Sequence, residues 1–232
     1  MFVHMHVFYA PGVFESLTLP EDESKHAVNV LRLNTGDALH VTDGQGRMFI
    51  ASIADAHPKR VRLAALRPDN VAVAPRAVCI AVGITRQADR LEWFVEKATE
   101  LGVRHIAPLL TERTGRHKLN TERLRKIAVA ALKQSGNVFL PIVDEPVAFK
   151  LFLQQPDDAF KIICTATAHE AGIKNVVGNN MNVTALVGPE GDFTDDELAL
   201  ALQHGFAPVN LGPYRLRTET AAMAAACALA LL

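Results

Sequence analysis

Cysteine is scarce in this chain. Cys79, Cys164 and Cys227 are odd in number and far apart, and no C-x-x-C pair exists. That excludes a disulfide framework and a cysteine zinc site. Long apolar runs are missing too: the longest, Ala221 to Leu232, is too short for the roughly 20 residues that a membrane span needs. Met1 to His6 holds no basic segment ahead of an apolar stretch, so no secretory signal is expected, and the compartment expected is a reducing, cytoplasmic one. Aromatic residues make up only 6% of the sequence. What is present instead is Ala, Val and Leu, with an apolar content of 49% over 232 residues, which excludes disorder and allows one large domain or two modest ones.

Charge of one sign is absent overall, with 24 Lys plus Arg against 25 Asp plus Glu, but it is unevenly placed. Residues 1–70 hold seven cations and eight anions, residues 71–137 twelve and six, and residues 138–232 five and eleven. In the basic middle, Arg113, Arg116, Lys118, Arg123, Arg125 and Lys126 crowd around a turn and a helix start. Such density fits a phosphate-binding surface and, on charge alone, fits an ordinary charged helix equally well.

Residues 1–70 read as short β elements with tight turns: Ala38 to Thr42, the turn Asp43-Gly44-Gln45-Gly46, Met48 to Ile53, and Arg60 to Leu66. A small barrel is the expectation. The boundary falls between Pro68 and Pro75, and a second domain is expected over 75–232. There, apolar runs at Ala77–Val82, Val103–Leu110, Phe160–Cys164, Val183–Val187 and Ala207–Leu211 alternate with helical patterns at Asp89–Leu101, Thr121–Ser135, after Thr194, and after Thr218. Thr121 and Thr218 are the expected caps, and Thr194 with Glu197 spells a capping box. The alternation predicts an α/β domain with a mostly parallel sheet.

Two segments follow buried strands directly, where parallel sheets bind ligands. The first is Leu186-Val187-Gly188-Pro189-Glu190-Gly191-Asp192-Phe193-Thr194. It has no G-K-[ST], and Glu190 would repel phosphate, so a P-loop is excluded. An acidic loop suits a cationic or hydroxyl-bearing ligand, or is simply a tight turn before a capped helix. The second, Asn210-Leu211-Gly212-Pro213-Tyr214-Arg215-Leu216-Arg217-Thr218-Glu219-Thr220-Ala221, sets two arginines beside a carboxylate. Taken alone, those arginines read as partners of neighbouring acidic residues.

Together the two segments resemble the cofactor loops of the SPOUT superfamily, specifically the RsmE-type 16S ribosomal RNA uridine-N3 methyltransferases. Gly188-Pro189-Glu190-Gly191, Phe193-Thr194 and Glu197 match one motif, with Asp192 where a glycine is usual. Leu211-Gly212, Leu216-Arg217 and Glu219-Thr220-Ala221 match the other, with Tyr214-Arg215 in place of a basic-aliphatic pair. The likeness continues through Lys97, Glu100-Leu101-Gly102-Val103, Thr111-Glu112-Arg113 and Gln134-Ser135-Gly136. In the first domain, His26, Val30-Leu31-Arg32, Gly36-Asp37 and Asp43-Gly44 resemble a PUA-like barrel. Asn137 and Val7 stand where the family commonly has arginine.

The resemblance implies a trefoil knot in the second domain, S-adenosylmethionine as cofactor, a homodimer, and 16S ribosomal RNA of the small ribosomal subunit as partner. It places the cofactor against Leu186, Val187, Gly188, Pro189, Glu190, Gly191, Asn210, Leu211, Gly212, Leu216 and Thr220. It places RNA against His26, Arg32, Arg113, Arg116, Gln134 and Arg215. Arg217 is the expected stabiliser of charge on the uracil or anchor for phosphate, and Glu190 or Glu219 the expected proton acceptor or orienter. The chemistry needs no metal, and no membrane association is expected. Methylation of another RNA, such as a transfer RNA ribose, and non-catalytic RNA binding in ribosome assembly are the alternatives. The final helix is apolar on every side and is expected to be covered by a second copy.

Overall fold

The structure is a computed structural model, and it describes residues 6–71, 76–115, 118–165 and 172–231. The chain divides into two compact units.

Unit 1 carries β1 (Val7–Tyr9), α1 (Val13–Ser16), α2 (Glu21–Lys25), a π-helical turn (His26–Val30), β2 (Ala38–Thr42), β3 (Arg47–His57) and β4 (Arg60–Val71). The strands form one sheet in chain order, with β1 parallel to β2 and the others antiparallel. Leu17 and Leu19 pair with the outer edge of β4 through the Leu63 amide on the Leu17 carbonyl and the Leu19 amide on the Val61 carbonyl. Alternation along β2 and β3 sends Leu39, Val41, Ala51 and Ile53 inward onto Phe8, Val13, Leu19 and Val61, all buried. The Asp43 turn forms as expected. The buried carboxylate accepts from the Gln45 amide at 2.8 Å and from Arg47 Nε at 2.6 Å.

Unit 2 carries β5 (Ala77–Gly83), α3 (Ala88–Glu100), β6 (His105–Leu110), α4 (Thr121–Ser135), β7 (Ile142–Val143), β8 (Val147–Ala148), α5 (Phe149–Leu153), β9 (Phe160–Cys164), α6 (Ile173–Val177), β10 (Asn182–Val187), α7 (Asp195–Gln203), β11 (Ala207–Val209) and α8 (Thr218–Ala230). Its sheet runs β11-β9-β10-β5-β6-β7, with β8 also on β6, and every pair is parallel. One face buries Ala81, Ala107, Leu109, Ile163 and Leu186 under Phe149, Phe152 and Leu153 of α5, Ala201 of α7, and Phe206. On β5 and β10 rests α8, which also packs against α3 and α6. In α3, Leu91, Phe94, Val95 and Ala98 make the buried stripe, and Gly102 at φ 84° follows its last turn.

Three expectations need correction. The linear boundary is incomplete, because Val129–Leu140 belongs to unit 1. Val138 and Phe139 pack on Met48, the Gly46 amide donates to the Val138 carbonyl, and Lys133 Nζ meets Glu23 Oε1 at 2.6 Å. The cap of α4 is Asn120, whose Oδ1 accepts from the Arg123 amide, while the Thr121 hydroxyl donates to Glu145. Thr218 is the first residue of α8 rather than its cap, and its buried hydroxyl has no hydrogen-bond partner among the described residues.

Gly46 has φ 100°, and a Cβ there would lie 2.5 Å from Phe139 Cε1. Gly46→Ala combines left-handed strain with overpacking, so a loss of about 2 kcal/mol is expected. A thermal melt followed by circular dichroism should show a midpoint lower by about 4–8 °C. An unchanged midpoint would mean that Phe139 does not sit over this turn.

Candidate functional site

The carboxyl ends of β5, β6, β9, β10 and β11 share one edge of the unit 2 sheet, as parallel pairing requires. The loops that leave them are built largely from backbone. Gly83 ends β5 with no side chain because the neighbouring loop needs the space. A Cβ there would run into the Pro189 backbone nitrogen and come within 2.8 Å of its Cα. Glu190 ties the same two loops together, its Oε1 accepting from the Arg86 amide at 2.8 Å.

A buried carboxylate fixes the next junction. Thr194 Oγ1 accepts from the Glu197 amide at 3.2 Å, and Glu197 Oε2 accepts from the Thr194 amide at 3.0 Å, so the expected capping box is present. Glu197 also takes the Glu112 amide on Oε1 at 2.8 Å, which fastens the β6 loop to the start of α7. Arg113 completes that join, its guanidinium donating to the carbonyls of Gly191 at 2.7 Å and Phe193 at 3.2 Å.

Asp192 takes φ 61°, a left-handed conformation that aspartate tolerates better than most residues. Its amide donates to the Pro189 carbonyl and its Oδ1 accepts from the Phe193 amide at 2.8 Å. The turn is therefore kept without the usual glycine. Burial, and next Asp192, push the Cys164 thiol at the end of β9 up to about 12, so it stays protonated near neutral pH.

Beyond β11, Asn210 bridges to Gly172 in parallel, and its Oδ1 accepts from the Gly212 amide at 2.7 Å. Gly212 has φ 124°, and among the described residues other than its chain neighbours no atom lies within 4 Å of where a Cβ would stand. Tyr214 is 82% exposed, and the side chains of the exposed Arg215 and Arg217 make no hydrogen bond or ion pair with the described residues. Glu219, in the first turn of α8, approaches Arg90 Nε at 3.7 Å through Oε1, while its buried Oε2 has no partner among the described residues.

Leu186–Gly191 and Asn210–Leu216 thus lie at one edge of the sheet, with Leu186 to Pro189 buried and Gly212 and Thr220 exposed. The residues expected to meet RNA are divided. His26, Arg32 and Gln134 are exposed on unit 1, Arg113 and Arg215 are exposed on unit 2, and Arg116 lies outside the described residues. Sequence reasoning missed the loop after β5 and the Arg90–Glu219 approach. The signal for the former was there, since Gly83-Ile84-Thr85-Arg86 leaves a buried strand just as the other two loops do.

The family description "RNA methyltransferase domain" matches residues 73–230, and "RNA methyltransferase PUA domain" matches residues 19–66. The chain belongs to this family of RNA methyltransferases, within its ribosomal RNA small subunit methyltransferase E group. The protein of that name from Rickettsia conorii is 30% identical over 93% of this chain and 90% of its own length. Its counterpart from Synechocystis is 31% identical over 89% and 70%. Among solved structures, the Neisseria gonorrhoeae ribosomal RNA small subunit methyltransferase E bound to S-adenosylmethionine is 29% identical, with a TM-score of 0.87 over 97% of this chain and 96% of that one. A Legionella pneumophila methyltransferase in complex with the same cofactor is 31% identical, with a TM-score of 0.86 over 98% and 97%.

Asp192 offers a direct test of the loop. Asp192→Ala keeps the left-handed strain and loses the bond to the Phe193 amide, so it should lower the denaturant-unfolding free energy by about 1–2 kcal/mol. Asp192→Gly relieves the strain and should lose less. Equal losses would mean that the left-handed turn is not what Asp192 supports.

Proposed function

We propose that this protein transfers a methyl group from S-adenosylmethionine to N3 of a uridine in 16S ribosomal RNA, acting in the cytoplasm as a homodimer. The observation that carries the reading is the strand-end edge. Glycines at 83 and 212 bring backbone close to a neighbouring loop and to open space, next to a loop held rigid by Glu190 and Glu197. Those residues fit the cofactor, which needs backbone donors and acceptors for its adenine and ribose rather than a phosphate cradle. Leu186 to Gly191, Asn210 to Gly212, Leu216 and Thr220 would hold it. When bound, it supplies an electrophilic methyl on a sulfonium centre.

The chain's own residues do the rest. Methyl transfer is a displacement whose rate depends on positioning, and the bonds from Glu197 to Glu112 and from Glu190 to Arg86 immobilise the loops that position the reactants. The target base must leave its stack, because uracil N3 is normally paired. N3 must also lose its proton, and negative charge then grows on the ring. Arg217, exposed at the α8 N-cap, would stabilise that charge or a flanking phosphate. Glu190 lies in the first loop and Glu219 just beyond the second, and Glu219 Oε2, which has no partner among the described residues, is the stronger candidate for taking or orienting a proton. His26, Arg32, Gln134, Arg113 and Arg215, with Arg116, would meet the RNA backbone.

Chain topology supports the knot. After β10 the chain passes β9 to form β11 on its far side, pairs with Gly172 at Asn210, and returns to lay α8 on β5 and β10. A C-terminal segment drawn back through its own sheet connections is one of the rare exceptions to unknotted topology. The dimer rests on α8. Ala222, Ala225, Ala226 and Leu229 are buried within one chain, whereas Ala221, Met223, Ala224, Cys227 and Ala228 are only half-buried. A second copy would cover that second face.

Mapping modified nucleosides in ribosomal RNA from cells with and without this protein tests the reaction. One N3-methyluridine in 16S RNA should vanish without the protein, and unchanged RNA would overturn the proposal. In calorimetry, Gly212→Ala should weaken S-adenosylmethionine binding, because its methyl group enters the open space above the loop. Arg32→Ala should leave cofactor affinity unchanged and lower the salt slope of RNA binding by about 1. For assembly, Ala228→Glu should turn a dimer seen by light scattering into single chains. A wild-type protein that already elutes as a single chain at micromolar concentration would remove the dimer.

A further inference from the structure

At the opposite edge of the unit 2 sheet, where the strands begin, lies a cavity of about 360 Å³. Parallel register aligns Lys161 of β9 with Thr184 of β10, Thr184 with Cys79 of β5, and Cys79 with His105 of β6. The next row inward on the same face is Ile163, Leu186, Ala81 and Ala107, all fully buried in the core. A face that is apolar row after row thus begins with an ammonium, a hydroxyl, a thiol and an imidazole side by side, and all four line the cavity. The fold does not require this row to be polar, since valine or alanine would pair as well there.

The row is held in place from outside the sheet. Thr184 Oγ1 donates to Asp157 Oδ2 at 2.6 Å, and the other Asp157 oxygen accepts from the Ala159 amide. His105 Nε2 lies 2.6 Å from Asp144 Oδ2. Lys161 Nζ stands over the Phe206 ring, 5.7 Å from its centroid. Burial, then Asp157 and Asp144, push the Cys79 thiol up to about 12, so it is a neutral wall rather than a nucleophile. Among the described residues, no group of three or more His, Cys, Asp or Glu could hold a metal ion.

We infer that this cavity is a second binding site, separate from the strand-end loops, for a small zwitterion with an apolar body, of the α-amino acid class. The chemistry of the walls selects that class. Asp157 and the exposed Asp158 present carboxylates to an ammonium group, and Lys161 presents a cation to a carboxylate. Phe152, Leu153 and Phe206 offer an apolar wall for a side chain. The volume lies near the lower end of the roughly 300–1,000 Å³ usual for small-ligand pockets, which suits a ligand of amino-acid size.

The test is to titrate the full-length protein with L-leucine and L-phenylalanine up to about 10 mM, a range that detects weak millimolar binding, while following amide resonances. Saturable shifts at Cys79, Thr184 and His105, with Gly188 to Gly191 unmoved, are the expected result. N-acetyl-L-leucine and L-leucinamide each lack one charge and should bind at least about tenfold more weakly. Asp158→Asn and Lys161→Gln should each weaken L-leucine binding about fivefold without altering the melting curve or S-adenosylmethionine affinity. Absence of saturable shifts, equal binding of the charge-deleted analogues, indifference to both substitutions, or competition with S-adenosylmethionine would each overturn the assignment.

Discussion

One buried carboxylate holds the candidate site in shape. Glu197 is 6% exposed, and its two oxygens take backbone amides from two loops, Glu112 after β6 and Thr194 after β10. A carboxylate removed from water needs such donors to remain tolerable, and amide donors at a helix start are the natural source. The contact therefore satisfies a helix terminus and a loop with a single side chain. Arg113 builds on it by bonding two carbonyls of the loop that Glu197 anchors, and Glu190 reaches from that loop to Arg86. The loops after β5, β6 and β10 form one hydrogen-bonded unit, whereas the loop after β11 leaves its arginines exposed.

On the proposed function, that contrast divides the labour of the site. The hydrogen-bonded loops present backbone at fixed positions, as recognition of a small cofactor requires. The exposed arginines on the β11 loop keep long side chains in water, as transient binding of a polyanion requires. Arg113 belongs to both groups: it is exposed, yet its guanidinium already serves the Gly191 and Phe193 carbonyls. Any RNA contact it makes is made by a side chain whose position is already fixed.

Much of this was legible in the sequence because local rules and tertiary demands agree. Ala77–Val82 is a continuous apolar run that becomes a central strand, and Thr194 with Glu197 forms the capping box that its spacing spells. Asp43-Gly44 makes the turn that its residue types dictate. The failures arose where partners are distant in sequence. Val138 and Phe139 return to Met48 across some ninety residues, and no local pattern announces that. Thr121 was a plausible cap until Glu145 claimed its hydroxyl, leaving Asn120 to cap α4. The motif residues around Gly188 and Gly212 were readable as a pair of loops, and Gly83-Ile84-Thr85-Arg86 carried the same strand-end signal, but the approach of Gly83 to Pro189 that joins the third loop to them is visible only in the fold. Its partners are backbone atoms about a hundred residues apart.

The position of β5 has a consequence for how the chain folds as it is made. β5 lies between β6, which follows it closely, and β10, where Ala77 pairs with Asn182. One side of this central strand can be covered early in synthesis, but the other waits for roughly a hundred more residues, about 5–20 s at usual elongation rates. During that interval an apolar strand edge, Val78 to Val82, is open to whatever meets it. Closing so long a loop is entropically slow. The nascent chain should therefore depend on chaperones most heavily between emergence of β6 and emergence of β10, and a stall within that window should aggregate more readily than one on either side.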